Sequence, residues 1–202
     1  MKKLFIFSVL SCMVLTASAQ FTNTGAGSNS SKKSSVATQT DIPDSYRSFY
    51  LQYNGQKSGE TLTGVAIGFN SAKKIAEGTP LYFEFGLAAQ YSSKDELKMA
   101  SLRLPLDLTY RIYIPDSKFY VSPLVGVDLK GHLWGEYDEY NIFDEDDMGD
   151  YAYKRFQVGW HAGCRFGLGG CYLGFQYGTD FMDLVDGADK VKTTSITLGF
   201  DL

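Results

Sequence analysis

Only two histidines occur in the 202 residues, His132 and His161. In an alternating pattern both fall on the same side as Glu84, Asp107 and Asp128. An imidazole beside a carboxylate is the minimum for general acid–base work, and the same groups are metal ligands. Two histidines without a third ligand at a fixed spacing are weak grounds for a metal, and no Ser/His/acid arrangement is recognisable. Packing in an interior is the plainer reading, so no catalytic, cofactor or metal site is expected.

The second stretch with chemistry is Glu136 to Tyr151, which carries eight acidic side chains and no basic one. Its densest part, Asp144, Glu145, Asp146 and Asp147, could meet a cation or a basic partner, but it lacks the ligand spacing of an EF-hand loop. The expectation is a solvated, self-repelling surface loop. Cys164 and Cys171 are the thiols outside the N-terminal segment. A two-residue turn at Gly169-Gly170 sets Leu168 opposite Cys171 and Cys164 opposite Phe175, several residues apart along a hairpin. No disulfide is expected, and both cysteines are read as small outward-facing hydrophobes.

The elements that must hold these residues are strands. Leu102, Leu104, Leu106, Leu108, Tyr110, Ile112 and Ile114 alternate with Arg103, Asp107, Thr109, Arg111 and Tyr113. A helix would scatter such a set around its circumference. Eight segments share this dyad pattern, near 45–54, 61–69, 81–92, 99–114, 118–134, 155–168, 171–177 and 194–202. The fold expected is all-β, an eight-stranded antiparallel up-and-down transmembrane β-barrel. Pro105 and Pro123 lie inside strands, and because proline removes a ladder hydrogen bond a bulge is expected at each.

Met1-Lys2-Lys3, the apolar run Leu4 to Leu15 and Ala17-Ser18-Ala19 have the three parts of a secretory signal peptide, with cleavage after Ala19. Val9-Leu10-Ser11-Cys12 loosely resembles a lipoprotein box, but cutting there would discard the better site. Residues 1–19 are therefore read as signal peptide, 20–44 as a flexible periplasmic leader of Ser, Thr, Asn, Gly and Lys, and 45–202 as barrel. Loss of Lys2 and Lys3 takes the net charge from −4 to −6, which argues against nucleic acid as a partner. No remaining stretch is long and apolar enough for a transmembrane helix.

Connections should alternate between short periplasmic turns and long outer loops. With the N-terminus periplasmic, 115–117 and 169–170 are turns, whereas 55–60, 93–98, 135–154 and 180–191 lie outside the cell. The connection 70–80 breaks the rule. Ala72 to Glu77 within it could form one helical turn closed by Gly78.

Orientation decides between a membrane barrel and a soluble lipocalin-like ligand-binding barrel, which uses the same alternation with its faces exchanged. The polar face here is rich in Gly64, Gly68, Gly86, Gly126, Gly159, Gly163, Gly167, Gly174, Gly178 and Gly199, so space selects it, not solvation. Its charges are Glu84, Asp107, Asp128 and Asp201 against Arg103, Arg111, Lys130 and Arg165, a balanced set suited to a tight lumen. The expectation is a lumenal charge network with the oily face toward lipid.

Leu104-Pro105-Leu106-Asp107-Leu108-Thr109-Tyr110-Arg111, Tyr120-Val121-Ser122-Pro123-Leu124-Val125-Gly126-Val127 and the terminal Leu198-Gly199-Phe200 together resemble the outer-membrane protein β-barrel domain family, small porin-like barrels of Gram-negative bacteria. The resemblance covers about Tyr46 to Leu202. It implies location in the cell outer membrane, contact with outer-membrane lipid and lipopolysaccharide, and insertion by the outer-membrane assembly machinery through the C-terminal strand. Phe200 matches the aromatic signal for that machinery, although the chain ends in Leu202.

Eight strands enclose a lumen that side chains fill, so a wide pore is excluded. The functional expectation is a non-enzymatic integral barrel with a structural or surface-interaction role through its outer loops, chiefly the acidic loop 136–154. The alternatives are a lipid A-modifying or other barrel enzyme and the soluble ligand-binding barrel.

Overall fold

The computed structural model describes residues 42–202 except 59, 139, 150, 151, 186 and 188. The signal peptide, Cys12 and leader residues 20–41 lie outside the described residues. Ten strands follow one another: β1 (Ser45–Ser58), β2 (Glu60–Lys74), β3 (Leu81–Lys94), β4 (Leu97–Tyr110), β5 (Ile112–Tyr113), β6 (Phe119–Tyr137), β7 (Tyr140–Asn141), β8 (Phe156–Leu168), β9 (Cys171–Asp183) and β10 (Lys190–Asp201). Two of them are short: β5 extends β4 past Arg111, and β7 folds back on β6. The other eight form a ring in the order β1-β2-β3-β4-β6-β8-β9-β10, closed by β1 on β10, with every pairing antiparallel. Closure leaves no strand edge among these eight.

The barrel is inverted relative to a soluble one. Leu104, Val127 and Phe175 point outward with 46%, 37% and 46% of their surface exposed, while Glu84 and Arg103 retain 1% and 5%. The few buried apolar side chains are mostly tyrosines and alanines, set among Gln52, Asn54, Asn70, Gln90, Ser122 and Thr197. An interior lined by these polar side chains, under an exterior of exposed Leu, Val and Phe, is the reverse of what an apolar-ligand carrier in water needs, which overturns the soluble-carrier alternative. Bare Leu, Val, Ile and Phe around the outside require hydrocarbon, and outward aromatics such as Phe83 and Tyr110 toward one end and Tyr53 and Tyr91 toward the other suit its two interfaces.

Inner glycines set how closely the strands can be dressed. A Cβ on Gly68, Gly167 or Gly199 would fall on the ring of Tyr50, Tyr120 or Tyr172 respectively. Each tyrosine is the direct cross-strand partner of its glycine. All three lean the same way around the ring, from β1 to β2, β6 to β8 and β9 to β10.

Several boundaries differ from expectation. β2 runs to Lys74, so Ala72, Lys73 and Lys74 are strand and not a helical turn. The exceptional connection shrinks to 75–80, with Gly78 at φ 74°. The 93–98 loop is a two-residue turn at Asp95-Glu96, and β9 continues through Asp183. Ile42 to Asp44, counted with the leader, are tied down instead: Lys74 donates to Asp44 Oδ1 at 2.7 Å and to the Ile42 carbonyl at 3.0 Å, and the Tyr82 hydroxyl donates to the Pro43 carbonyl.

No register shift occurs at Pro105 or Pro123, whose partners are Asp128 and Cys164. Neighbouring residues hold the ladder across the missing N–H. Register shifts lie instead between Lys190 and Lys192 on β10 and between Ala100 and Ser101 on β4, where Ala100 faces Trp134 and Ser101 faces His132. Leu133 is the extra residue, and both it and Trp134 face outward. The Gly169-Gly170 turn has positive φ at both residues and sets Leu168 opposite Cys171 and Cys164 opposite Phe175. Both thiols are free.

Candidate functional site

The lumen is filled from one mouth to the other. At the end where β1 begins, Arg111 stacks on Tyr46 and Tyr120, its guanidinium carbon 3.6 and 4.2 Å from the ring centroids, and donates to Asp201 at 2.9 Å. The Tyr120 hydroxyl donates to the same carboxylate. Packed between two aromatic faces and tied to a carboxylate, this guanidinium acts as a stopper.

Further in, Arg165 pairs with Glu84 at 2.7 Å and approaches Asp107 at 3.5 Å, while Arg103 pairs with Asp128 at 2.8 Å. Glu84 also accepts from Tyr46 and Asn70. His161 lies between the clusters, Nε2 2.7 Å from Asp107 and Nδ1 3.2 Å from Asp128. Facing a carboxylate on each side, the ring satisfies both only when both nitrogens carry a proton. Gln52 adds hydrogen bonds to Arg103, Gln176 and Thr197.

Toward the other mouth, Lys130 pairs with Asp180 at 2.6 Å. Of the eight charges assigned to the inner face, Glu84, Arg103, Asp107, Arg111, Asp128, Lys130 and Arg165 are buried and Asp201 is partly so. The structure adds Asp180, a fifth carboxylate, which the sequence pattern assigns to a loop. Lys130 pairs with it instead of with one of the expected acids. Among the described residues, two of the voids beside this network each have room for about one water. Arg103 Nε and Asp128 Oδ1, which have no hydrogen-bond partner among the described residues, belong to residues lining them.

Ser101 and His132 form an arrangement that sequence reasoning missed. The Ser101 Oγ lies 2.7 Å from His132 Nδ1, and Nε2 lies 3.3 Å from Gln157 Oε1. No motif spacing announces the pair, because register across the β4–β6 bulge brings it together. Gln157 stands where a triad would place a carboxylate.

The acidic loop folds back over this mouth. β7 extends the β6 hairpin, and Ile142 is fully buried where a Cβ on Gly135 would collide with it. Phe143 stacks on His132 at 6.1 Å and lies under Arg155 at 4.6 Å. Tyr153 donates its N–H to Ile142, Lys154 to Leu184, and His132 to Arg155. The one-turn helix α1 (Glu145–Met148) starts at Asp144, whose carboxylate accepts from the Asp146 N–H as an N-cap. Asp144 and Asp146 are exposed, and the side chains of Glu145 and Asp147 are outside the description. The loop is therefore a tethered hairpin with an acidic tip, not a free solvated segment.

The chain superposes on the crystal structure of Neisserial surface protein A (NspA) with a TM-score of 0.55 at 11% identity, over 79% of this chain and 97% of that one. The fold is that of the small outer-membrane β-barrels. It is equally similar to the outer-membrane enzyme PagL, with a TM-score of 0.54 at 10% identity over 75% of this chain and 98% of that one. No family sequence model and no curated protein sequence matches the chain.

Proposed function

We propose that the chain resides in the outer membrane with its N-terminus in the periplasm, and that it acts without catalysis, through a rigid barrel that displays the hairpin 136–154 to the exterior. The observation that supports this most directly is the pairing of a bare apolar exterior with a lumen closed by ion pairs and stacked tyrosines, which leaves the tethered acidic hairpin as the surface free for a partner. The leader before Ile42 would lie in the periplasm. Phe200 in β10, with the strand ending at Asp201, suits delivery to the assembly machinery. Cell fractionation with heat-dependent gel mobility tests the membrane assignment, and a water-soluble monomer that needs no detergent overturns it. Labelling of Asp146→Cys on intact cells by a membrane-impermeant maleimide tests the orientation, with the unsubstituted protein as the background for Cys164 and Cys171.

A second reading rests on Ser101 and His132. A serine hydroxyl hydrogen-bonded to an imidazole is the core of nucleophilic ester hydrolysis, and an outer-membrane enzyme shares this fold. Both side chains are buried beneath Phe143 and Ile142, so turnover would require the hairpin to lift. Fluorophosphonate labelling that is lost in Ser101→Ala, together with ester hydrolysis lost in His132→Ala, would establish it. Absence of labelling after removal of the hairpin would exclude it.

A further inference from the structure

On the outer face of the barrel, at the end carrying the acidic hairpin, the apolar belt gives way to a tier of a different kind. β1 continues its outward positions from Leu51 and Tyr53 through Gly55 to Lys57, and β10 continues from Leu198 and Ile196 through Thr194 to Lys192. The register sets Lys57 directly opposite Lys192. Their other cross-strand partners are Thr61 on β2 and Thr179 on β9.

Like charges placed directly opposite on one sheet face destabilise the pairing. Two other lysines at this end face a carboxylate, Lys98 opposite Glu136 and Lys190 opposite Asp183, and where the lumen sets Arg103 opposite Lys130 each is neutralised by its own carboxylate, Asp128 and Asp180. Among the described residues no ion pair involves Lys57 or Lys192. The uncompensated pair lies four residues beyond Tyr53, about 13 Å farther along the strand at the rise of an extended chain. With barrel strands tilted by about 40°, that is about 10 Å along the membrane normal, which takes the pair from the interfacial tyrosines to the headgroup level.

We infer that Lys57 and Lys192 form a binding site for a phosphate of the outer-leaflet glycolipid lipid A, with the hydroxyls of Thr61, Thr179 and Thr194 facing its sugars. A dianionic phosphate between the two ammonium groups converts a repulsion into two charge-assisted contacts. The acyl chains of the same molecule then lie against Tyr53, Ile196 and Tyr177, directly below. The assignment rests on the proposed orientation, since the reversed barrel would present this tier to the inner leaflet.

The test uses purified full-length barrel in detergent micelles, where orientation plays no part, with native mass spectrometry as the readout. The probes are bis-phosphorylated lipid A, the same glycolipid with its phosphates removed, and phosphatidylglycerol. Expected is retention of the phosphorylated glycolipid above both others, and a tenfold or greater loss of it in Lys57→Gln/Lys192→Gln. Lys98→Gln, which changes a lysine already facing a carboxylate, should bind as the parent does. Without lipid, the double variant should also unfold at a higher temperature than the parent, because the repulsion is gone. Equal retention of the three lipids, or equal retention by parent and double variant, overturns the site. Binding as expected in micelles, with the Asp146→Cys label reacting only from the periplasm, would overturn the assignment to lipid A, because the tier would then face the inner leaflet, and the failure would be traced to the orientation and not to the lysine pair.

Discussion

Glu84 shows what a single lumenal residue contributes. It binds Arg165, Tyr46 and Asn70 at once, so Glu84→Leu leaves a buried guanidinium whose remaining carboxylate contact is the longer approach to Asp107. Removing one member of a buried ion pair costs about 3–5 kcal/mol, whereas replacing both by apolar side chains costs far less. Glu84→Leu should therefore lower the urea midpoint of the barrel in lipid more than Glu84→Leu/Arg165→Leu does, and a double variant as weak as the sum of the singles would contradict this account. Gly167→Val addresses the tyrosine–glycine fit. The added carbons displace the Tyr120 ring and with it the contacts to Arg111 and Asp201, for a loss of about 1–3 kcal/mol, the usual cost of overpacking. The charges were legible because alternation assigns a face to every residue of a regular strand. Asp180 was not, since Phe181-Met182-Asp183 breaks the alternation and hides the strand's continuation. The Ser101–His132 pair was illegible because it depends on register between two strands.

Strands tolerate insertion or deletion only where the faces are preserved, and the β4–β6 bulge is such a place. Leu133 and Trp134 both face outward opposite Ala100. Deleting Leu133 leaves His132 inward and Trp134 outward, so the barrel should still fold and keep its heat-dependent gel shift. Deleting Val127 inverts every residue on one side of it, and that variant should fail to insert. If both deletions behave alike, the face assignment of β6 is wrong. The same rule explains why strand cores were readable and their ends were not: a bulge conserves the pattern on each side while shifting its phase, and a hairpin such as Asp95-Glu96 offers two polar residues that look like the start of a longer loop. At the mouth where β1 begins, Lys74 holds the Asp44 carboxyl below its ordinary range through a hydrogen bond and its charge. With the folded value depressed, the tie contributes above about pH 4, the unfolded value, and is lost as pH falls through the folded one. A carboxyl NMR titration should place the Asp44 midpoint below that of an unperturbed aspartate, and Lys74→Met should return it to the ordinary range.

For the molecule as a whole, the question is whether anything crosses it. Three layers lie in series: Arg111 between Tyr46 and Tyr120, the Arg165–Glu84 and Arg103–Asp128 pairs joined by His161, and Lys130–Asp180 with His132 beneath the hairpin. The two voids described beside them hold about one water each. A pentose is several times larger than either void, so proteoliposomes should swell in arabinose no faster than protein-free ones. The layers are independent obstructions, because the central ion pairs make no use of the hairpin. Removing residues 138–152 should therefore leave the swelling rate unchanged, while truncating Arg103, Gln52 and His161 together to glycine should still leave the Arg111 layer to limit passage. Swelling that rises when the hairpin alone is removed would show that the central layer does not seal, and would turn the barrel from a scaffold for its outer surface into a gated channel.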